Sequence, residues 1–159
     1  MTEHQSSQHV GKDGPLGFGG ASQEPDRLLV IDDDTSICTL IEKLSEKVGF
    51  VPTRAASLEE AMHLLRTLHF ECITLDLGLG KNSGVEVLKV LAEMRYTSPI
   101  IIISGSKRSM RDFAASIGNM MHLSLQPPFA KPVDFAKLKA TLAGIKEKLE
   151  ERRQTKPAA

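Results

Sequence analysis

The stretch Glu71-Cys72-Ile73-Thr74-Leu75-Asp76 is a short apolar run that ends in a carboxylate, and the glycine-rich sequence Leu77-Gly78-Leu79-Gly80 follows it. The run predicts a buried strand, and the periodic apolar residues from Gly84 onward predict a helix. In open α/β sheets, ligands bind at the carboxyl ends of the strands. Asp76 therefore stands where a functional residue is expected.

Two other apolar runs end in polar side chains in the same way. Residues 28–31 are followed by Asp32-Asp33-Asp34, and residues 100–103 are followed by Ser104. Continuous apolar runs of this kind are typical of parallel strands that are buried on both faces. The sequence therefore predicts three central strands of one parallel sheet.

Helical periodicity occupies the segments between the strands. The residues expected to open, cap or end these helices are Asp34, Gly49, the capping-box pair Ser57 and Glu60, Gly84 and Asp134. A fourth helix is expected over about 109–117, ending near Gly118. With weaker strands expected at 50–54 and 123–125, five strands alternate with five helices. This order predicts a doubly wound α/β domain with a five-stranded parallel sheet.

Composition places the chain among ordinary globular proteins. It has 159 residues and a formal net charge of +0 at pH 7, so no general attraction to nucleic acid or to an anionic membrane is expected. No apolar run approaches the ~20 residues of a membrane span, and no secretory signal is evident. We expect a cytoplasmic protein in which Cys38 and Cys72 are buried and reduced.

The domain organisation follows from local composition. Residues 1–25 are rich in Gly, Ser and Gln and poor in apolar side chains, which predicts a disordered tail. Residues 26–150 are expected to form one domain, and residues 151–159 a C-terminal tail.

Parallel strands bring their carboxyl ends to one edge of the sheet, so their terminal polar residues are expected to meet. The residues concerned are Asp32, Asp33, Asp34, Asp76, Ser104 and Lys131, although Asp34 is better explained as a helix cap. Two carboxylates about 4 Å apart repel by about 4 kcal/mol at an effective dielectric near 20. Either one of the carboxyl groups is protonated, or a divalent cation such as Mg²⁺ or Mn²⁺ binds and relieves that repulsion. Lys131 and Ser104 would suit phosphoryl oxygens, and an aspartate here can be a phosphoryl acceptor.

Taken together, these residues resemble the receiver domain of two-component response regulators, the CheY-like fold, over about residues 27–148. The matching features are the acid pair Asp32 and Asp33, then Asp76, Gly84, Ser104 and the pair Lys131-Pro132. The resemblance implies a stand-alone signalling domain rather than an enzyme with a separate substrate. It also implies a histidine kinase or a histidine phosphotransfer protein as phosphodonor, and a downstream protein as target.

The resemblance also assigns roles to single residues. Asp76 would be the phosphoacceptor, and Lys131 and Ser104 would contact the phosphoryl oxygens. Mg²⁺ (or Mn²⁺) would be bound by Asp33, Asp76 and the backbone carbonyl of Gly78, with Asp32 acting through water. Ser104 would also be a switch residue.

Three departures from the family pattern concern the same site. Gly80 replaces the usual proline of the loop after the phosphoacceptor. The segment before Lys131 is longer than usual, and a shorter register would place Pro127 in the lysine position. We favour Lys131 because it leads directly into the last helix. Pro128 occupies the position of the aromatic switch residue, so the neighbouring Phe129 is expected to substitute for it.

The last helix carries apolar residues at helical spacing, and this pattern continues beyond the length that a receiver domain needs. The residues are Phe135, Leu138, Leu142, Ile145 and Leu149. This pattern permits a homodimer contact, and deleting residues 146–159 is expected to weaken self-association while the domain still folds.

Two other functions fit parts of the sequence. The first is a pseudo-receiver that acts only as an interaction module and is not phosphorylated. The second is a phosphatase of the haloacid-dehalogenase type, suggested by Asp32-x-Asp34 and Ser104. That family also requires a late acidic metal motif, which is missing after Lys131, and the length leaves no room for a cap domain.

Overall fold

The computed structural model describes residues 23–80, 84–105 and 107–156, so most of the expected N-terminal tail lies outside the described residues. Strands and helices alternate along the chain. The strands are β1 (Arg27–Ile31), β2 (Val51–Ala55), β3 (Cys72–Leu75), β4 (Ile100–Ser104) and β5 (Phe129–Ala130). The helices are α1 (Thr35–Val48), α2 (Leu58–Thr67), α3 (Gly84–Glu93), α4 (Arg108–Met120) and α5 (Phe135–Thr155). All strands are parallel, in the order β2-β1-β3-β4-β5, which confirms the predicted doubly wound α/β fold.

Two apolar clusters cover the two faces of the sheet. On one face, alternate residues of β1, β3 and β4 pack with α2, α3 and α4. On the other face, the remaining strand residues pack with α1 and α5. β1, β3 and β4 are therefore buried on both faces, which explains their unbroken apolar runs.

Strand register brings the functional residues together at one edge of the sheet. Ile31 pairs with Leu75, and the Asp76 N–H donates to the Ile31 carbonyl at 2.9 Å. The residues that follow these strands, Asp32 and Asp76, are consequently neighbours. Ser104 pairs with Ala130, so Lys131 enters the same edge from β5.

The expected helix caps are present. Asp34 accepts hydrogen bonds from the N–H groups of Ser36 and Ile37, and Asp134 accepts one from Lys137. Gly49 ends α1 in the left-handed conformation, with φ of 106°.

The capping box at the start of α2 has one unexpected bond. Ser57 Oγ accepts from the Glu60 N–H at 3.1 Å, as predicted. The Glu60 carboxylate, however, accepts from the N–H of Ala56 at 2.7 Å, one residue before the cap. The start of α2 was thus predicted correctly, although one partner differs.

The fifth strand was predicted at the wrong place. It lies at Phe129–Ala130, and the expected strand at 123–125 contributes only an isolated bridge between Leu125 and Ile100. The Gln126 N–H donates to the Ile100 carbonyl and the Lys131 N–H to the Ser104 carbonyl, so the pairing shifts by one residue between these bonds. The two prolines in between, at positions 127 and 128, have no N–H to donate, and the outer strand is therefore interrupted there.

The other outer strand, β2, also contains a proline. The Val51 N–H points inward and donates to the Asp26 carbonyl at 2.8 Å. Because direction alternates along a strand, the next residue, Pro52, lies where an N–H would point away from β1.

The fourth helix does not end near Gly118, as the sequence suggested. It runs from Arg108 to Met120 with Gly118 inside it. A Cβ on Gly118 would lie 2.1 Å from Leu125 Cδ1. The glycine therefore permits close packing of α4 against the following segment, and it is not a stop signal.

The last helix continues past residue 150, where the domain was expected to end. Its final turns are attached to the beginning of β1 by Asp26, whose side chain is fully buried and forms ion pairs with Lys146 and Arg153. Lys146 Nζ also donates to the Gly49 carbonyl at 3.1 Å and lies 5.4 Å from the centre of the Phe50 ring. Residues 151–155 are thus part of the folded domain.

Both cysteines are free and buried, as expected. Burial raises the pKa of the Cys38 thiol to about 11 and that of Cys72 to about 12, so both remain protonated at neutral pH. No helix in the described ranges is both long enough and apolar enough to span a bilayer.

Candidate functional site

Three carboxylates converge at the carboxyl ends of β1 and β3. Oxygen atoms of Asp32, Asp33 and Asp76 all lie within 4.8 Å of one another. Asp32 is 2% exposed and Asp76 is 7% exposed, whereas Asp33 is open to solvent. The sequence predicted this meeting from the two strand ends.

Each of these carboxylates is oriented by a backbone N–H. Asp32 Oδ1 accepts from the N–H of Asp34 at 2.9 Å, and Asp76 Oδ1 accepts from the N–H of Gly78 at 3.0 Å. Asp33 Oδ2 accepts from the N–H of Gly80 at 3.3 Å. The contact with Gly80 was not predicted, and the one signal for it in the sequence is a glycine where the family usually has a proline.

Lys131 joins two of the carboxylates. Its Nζ lies 2.9 Å from Asp32 Oδ2 and 3.2 Å from Asp76 Oδ2. The Lys131 N–H donates to the Ser104 carbonyl at 3.2 Å, which fixes the backbone from which the side chain extends. The structure therefore places Lys131 against the acids, as favoured from the sequence, whereas Pro127 lines a surface groove elsewhere.

The pKa values of this cluster reflect burial and the neighbouring charges. Burial raises the pKa of the Asp32 carboxyl, and the Asp76 carboxylate adds to this, although the Asp34 N–H and Lys131 act against it. For Lys131, burial is outweighed by the hydrogen bond and charge of Asp32 together with Asp76, and its pKa is raised. Lys131 is consequently a firmly protonated cation at neutral pH.

The donor set of this site fits a hard divalent cation. Within the described part of the chain, three carboxylates face a single ammonium group, so negative charge remains uncompensated. All the side-chain donors that could hold a metal are oxygen atoms, which suit Mg²⁺ or Mn²⁺.

Gly84 allows α3 to begin close to Asp76, and Gly78 lies beside the same residue. A Cβ on Gly84 would lie 2.6 Å from the Asp76 carbonyl oxygen and 2.6 Å from Leu77 Cα, so only glycine fits at the start of α3. A Cβ on Gly78 would lie 3.6 Å from Asp76 Oδ1. Gly78 is therefore adjacent to the Asp76 carboxylate.

The remaining predicted residues lie outside the group of three carboxylates. Ser104 is 1% exposed at the end of β4. Phe129 pairs with Ile103 in β5 and packs partly buried against the apolar cluster of α1 and α5. Asp34 caps α1, as preferred from the sequence, and does not belong to the group of three carboxylates.

Comparison with known proteins agrees with this geometry. The model of the response regulator receiver domain family matches residues 28–143. The chain belongs to this family. The receiver domain is 30% identical over 119 residues to the cell cycle transcriptional regulator CtrA of Caulobacter vibrioides, a match that covers 73% of this chain and 50% of CtrA. The chain spans half or less of the length of the curated relatives it matches.

Solved receiver domains share the fold. A CheY-like receiver domain from Methylobacillus flagellatus has a TM-score of 0.64 and 25% identity, covering 77% of this chain and 99% of that one. The signal receiver domain of a putative Luxo repressor protein from Vibrio parahaemolyticus has a TM-score of 0.71 at 18% identity, covering 85% of this chain and 100% of that one. The second likeness concerns the fold alone.

Proposed function

We propose that this receiver domain accepts a phosphoryl group on Asp76 and thereby changes its contacts with another protein in a two-component phosphorelay. The observation that carries the proposal is the Lys131 ammonium, which bridges Asp32 and Asp76 at 2.9 and 3.2 Å in a cluster that still has excess negative charge. A partly buried lysine beside an acceptor carboxylate stabilises the charge that a phosphoryl group brings.

The proposed donor is a phosphohistidine of a histidine kinase or of a histidine phosphotransfer protein. A carboxylate oxygen of Asp76 attacks the phosphorus, the P–O bond of an acyl phosphate forms, and the P–N bond to the donor breaks. The electron pair of that bond leaves with the donor imidazole, which takes up a proton. Lys131 remains protonated throughout, and its ammonium pairs with an oxygen of the transferred group.

The carboxylates would also hold the divalent cation. Asp33 and Asp76 would bind it directly with the Gly78 carbonyl, and Asp32 would act through water. Bound Mg²⁺ supplies positive charge to the phosphoryl oxygens. The Gly78 N–H and Lys131 also fix the orientation of Asp76, so little reorganisation is needed before the attack.

The signal would leave through β4 and β5. We infer that the buried Ser104 hydroxyl donates to a phosphoryl oxygen. The backbone carbonyl of Ser104 accepts a hydrogen bond from the Lys131 N–H. A shift at Ser104 is passed to β5, where Phe129 packs against the α1–α5 cluster. A downstream protein that prefers the shifted arrangement would then bind the phosphorylated form more tightly.

In this proposal the domain is a cytoplasmic signalling protein that turns over no substrate other than its own phosphoryl group.

The test is incubation with Mg²⁺ and acetyl phosphate, followed by intact mass measurement of the parent protein, Asp76→Asn and Asp34→Asn. Asp34 caps α1 outside the cluster, so Asp34→Asn is the matched control.

We expect one added phosphoryl group in the parent and in Asp34→Asn, and none in Asp76→Asn or with a chelator. A short-lived adduct would escape this assay, so beryllofluoride binding is followed by NMR in parallel. A parent that neither gains a phosphoryl group nor binds beryllofluoride would refute the proposal and favour an interaction module without phosphorylation.

A further inference from the structure

Gly80 differs from the other glycines of the site because it contacts the opposite loop. It lies in the loop between β3 and α3 with φ of +50°, and its N–H donates to Asp33 Oδ2, in the loop between β1 and α1, at 3.3 Å. This hydrogen bond joins the two loops that carry the acidic residues.

The contact matters because Asp33 has little other support. Asp32 and Asp76 are nearly buried, and each is held by an N–H of its own loop and by Lys131. Asp33 is exposed, and within the described ranges the Gly80 N–H is the hydrogen-bond donor found for its carboxylate. The bond engages Oδ2 and leaves Oδ1 available.

The backbone at Gly80 excludes the residue that usually occupies this position in the family. Proline requires φ near −65° and has no N–H, so it can supply neither the conformation nor the donor. An L-residue with a Cβ is strained at this φ, although a Cβ there would meet no atom within 4 Å.

We propose that the Gly80 N–H is a positioning group that orients the Asp33 carboxylate for the divalent cation. This inference rests on the proposed function, because it concerns the cation that assists phosphorylation of Asp76. Hydrogen bonds to ligating carboxylates contribute to metal affinity. By thermodynamic reciprocity, cation binding at Asp33 stabilises the observed conformation of Gly80.

Two variants differ in whether residue 80 keeps its N–H. Gly80→Pro removes both the donor and the positive φ, whereas Gly80→Ala keeps the donor and adds a methyl group in open space. Mg²⁺ affinity is measured by isothermal titration calorimetry, and Mn²⁺ affinity by electron paramagnetic resonance. We expect Gly80→Pro to bind about tenfold more weakly than the parent, as is typical for loss of an outer-shell partner. Gly80→Ala, which keeps the N–H but is strained at this φ, should bind more tightly than Gly80→Pro. Equal affinity in the two variants would overturn the inference.

Three further measurements distinguish this role from a merely structural one. With no metal present, the NMR signal of the Gly80 amide proton should lie further upfield in Asp33→Asn than in the parent, because an amide is a weaker acceptor than a carboxylate. In the Asp33→Asn background, Gly80→Pro should weaken Mn²⁺ binding no further. At saturating Mg²⁺, Gly80→Pro should regain phosphorylation of Asp76. An unmoved Gly80 signal, or an undiminished effect of Gly80→Pro in that background, would refute the positioning role even if the parent is phosphorylated normally. A parent that binds Mg²⁺ but is not phosphorylated would instead count against the proposed function.

Discussion

The ion pairs of Asp26 predict how strongly the end of α5 stabilises the domain. Replacing both Lys146 and Arg153 by Met keeps most of their apolar stems and leaves the fully buried Asp26 carboxylate without a cation. Breaking a buried pair from one side typically costs about 3–5 kcal/mol. Since small domains are stable by about 5–15 kcal/mol in total, we expect the double variant to lose a large part of its stability at pH 7.

The pH dependence of this loss has a definite sign. In the parent, the hydrogen bonds and charges of Arg153 and Lys146 outweigh burial and lower the pKa of Asp26. The stability from this group is therefore complete above its unfolded pKa of about 3.9 and is lost as the pH falls through the folded pKa. In the double variant, burial alone acts and raises the pKa of Asp26, so protonation relieves the penalty. The difference between the two proteins should therefore shrink as the pH falls from 7 through this raised pKa, and it should be smaller at pH 4 than at pH 7.

Urea unfolding followed by far-ultraviolet circular dichroism measures this difference at pH 7 and at pH 4. The matched control replaces Lys148 and Arg152 by Met as well. These two residues lie on the same turns of α5 and make no ion pair with Asp26 in the described chain. Repeating the double replacement in an Asp26→Asn background isolates the charge interaction from the lost contacts of Lys146 with Gly49 and Phe50. The reasoning is refuted if the double variant and its control differ by less than about 1 kcal/mol at pH 7, well below the cost of an unpaired buried charge.

Four further outcomes follow from single features. Thr74 Oγ1 is buried and has no hydrogen-bond partner among the described residues, so Thr74→Val should raise the free energy of unfolding by about 1 kcal/mol in urea denaturation, and a loss would contradict this. Gly118→Ala should cost about 1–3 kcal/mol in the same assay because its Cβ would overlap Leu125; an unchanged midpoint would show that Leu125 moves aside freely. Lys131→Gln should slow phosphorylation by acetyl phosphate in a mass-spectrometric time course, and an unchanged rate would remove Lys131 from the mechanism. Deleting residues 146–159 should lower the melting temperature, because it removes both cations of Asp26, whereas loss of self-association in sedimentation without destabilisation would support the homodimer expected from the sequence.

The parts of the fold that were predictable are those in which one physical requirement dominates. β1, β3 and β4 are buried on both faces, so their sequences are continuously apolar. β5 is an outer strand and has only two residues, which leaves no such pattern. A glycine allows both helix termination and close packing, and at Gly118 the sequence does not distinguish the two.

The candidate site was predictable to a similar degree. Asp32, Asp33 and Asp76 follow apolar runs directly, and a parallel sheet necessarily brings such strand ends together. The role of Asp26 was not predictable, because an acid just before a strand resembles an ordinary loop residue and its partners lie more than a hundred positions away in the chain. The Gly80 contact was not predictable either, because it depends on a backbone torsion angle and on an N–H group that every residue except proline has.

The prolines at the two margins of the sheet bear on how this domain behaves at high concentration. An exposed outer strand is a template on which another chain can add a strand, and such addition leads to domain swapping or fibrils. In β2, Pro52 and Arg54 are the residues that face outward, and Pro52 has no N–H to offer; beside β5 the chain presents two consecutive prolines. Both margins therefore offer fewer backbone donors to an added strand, which disfavours growth of the sheet from either side.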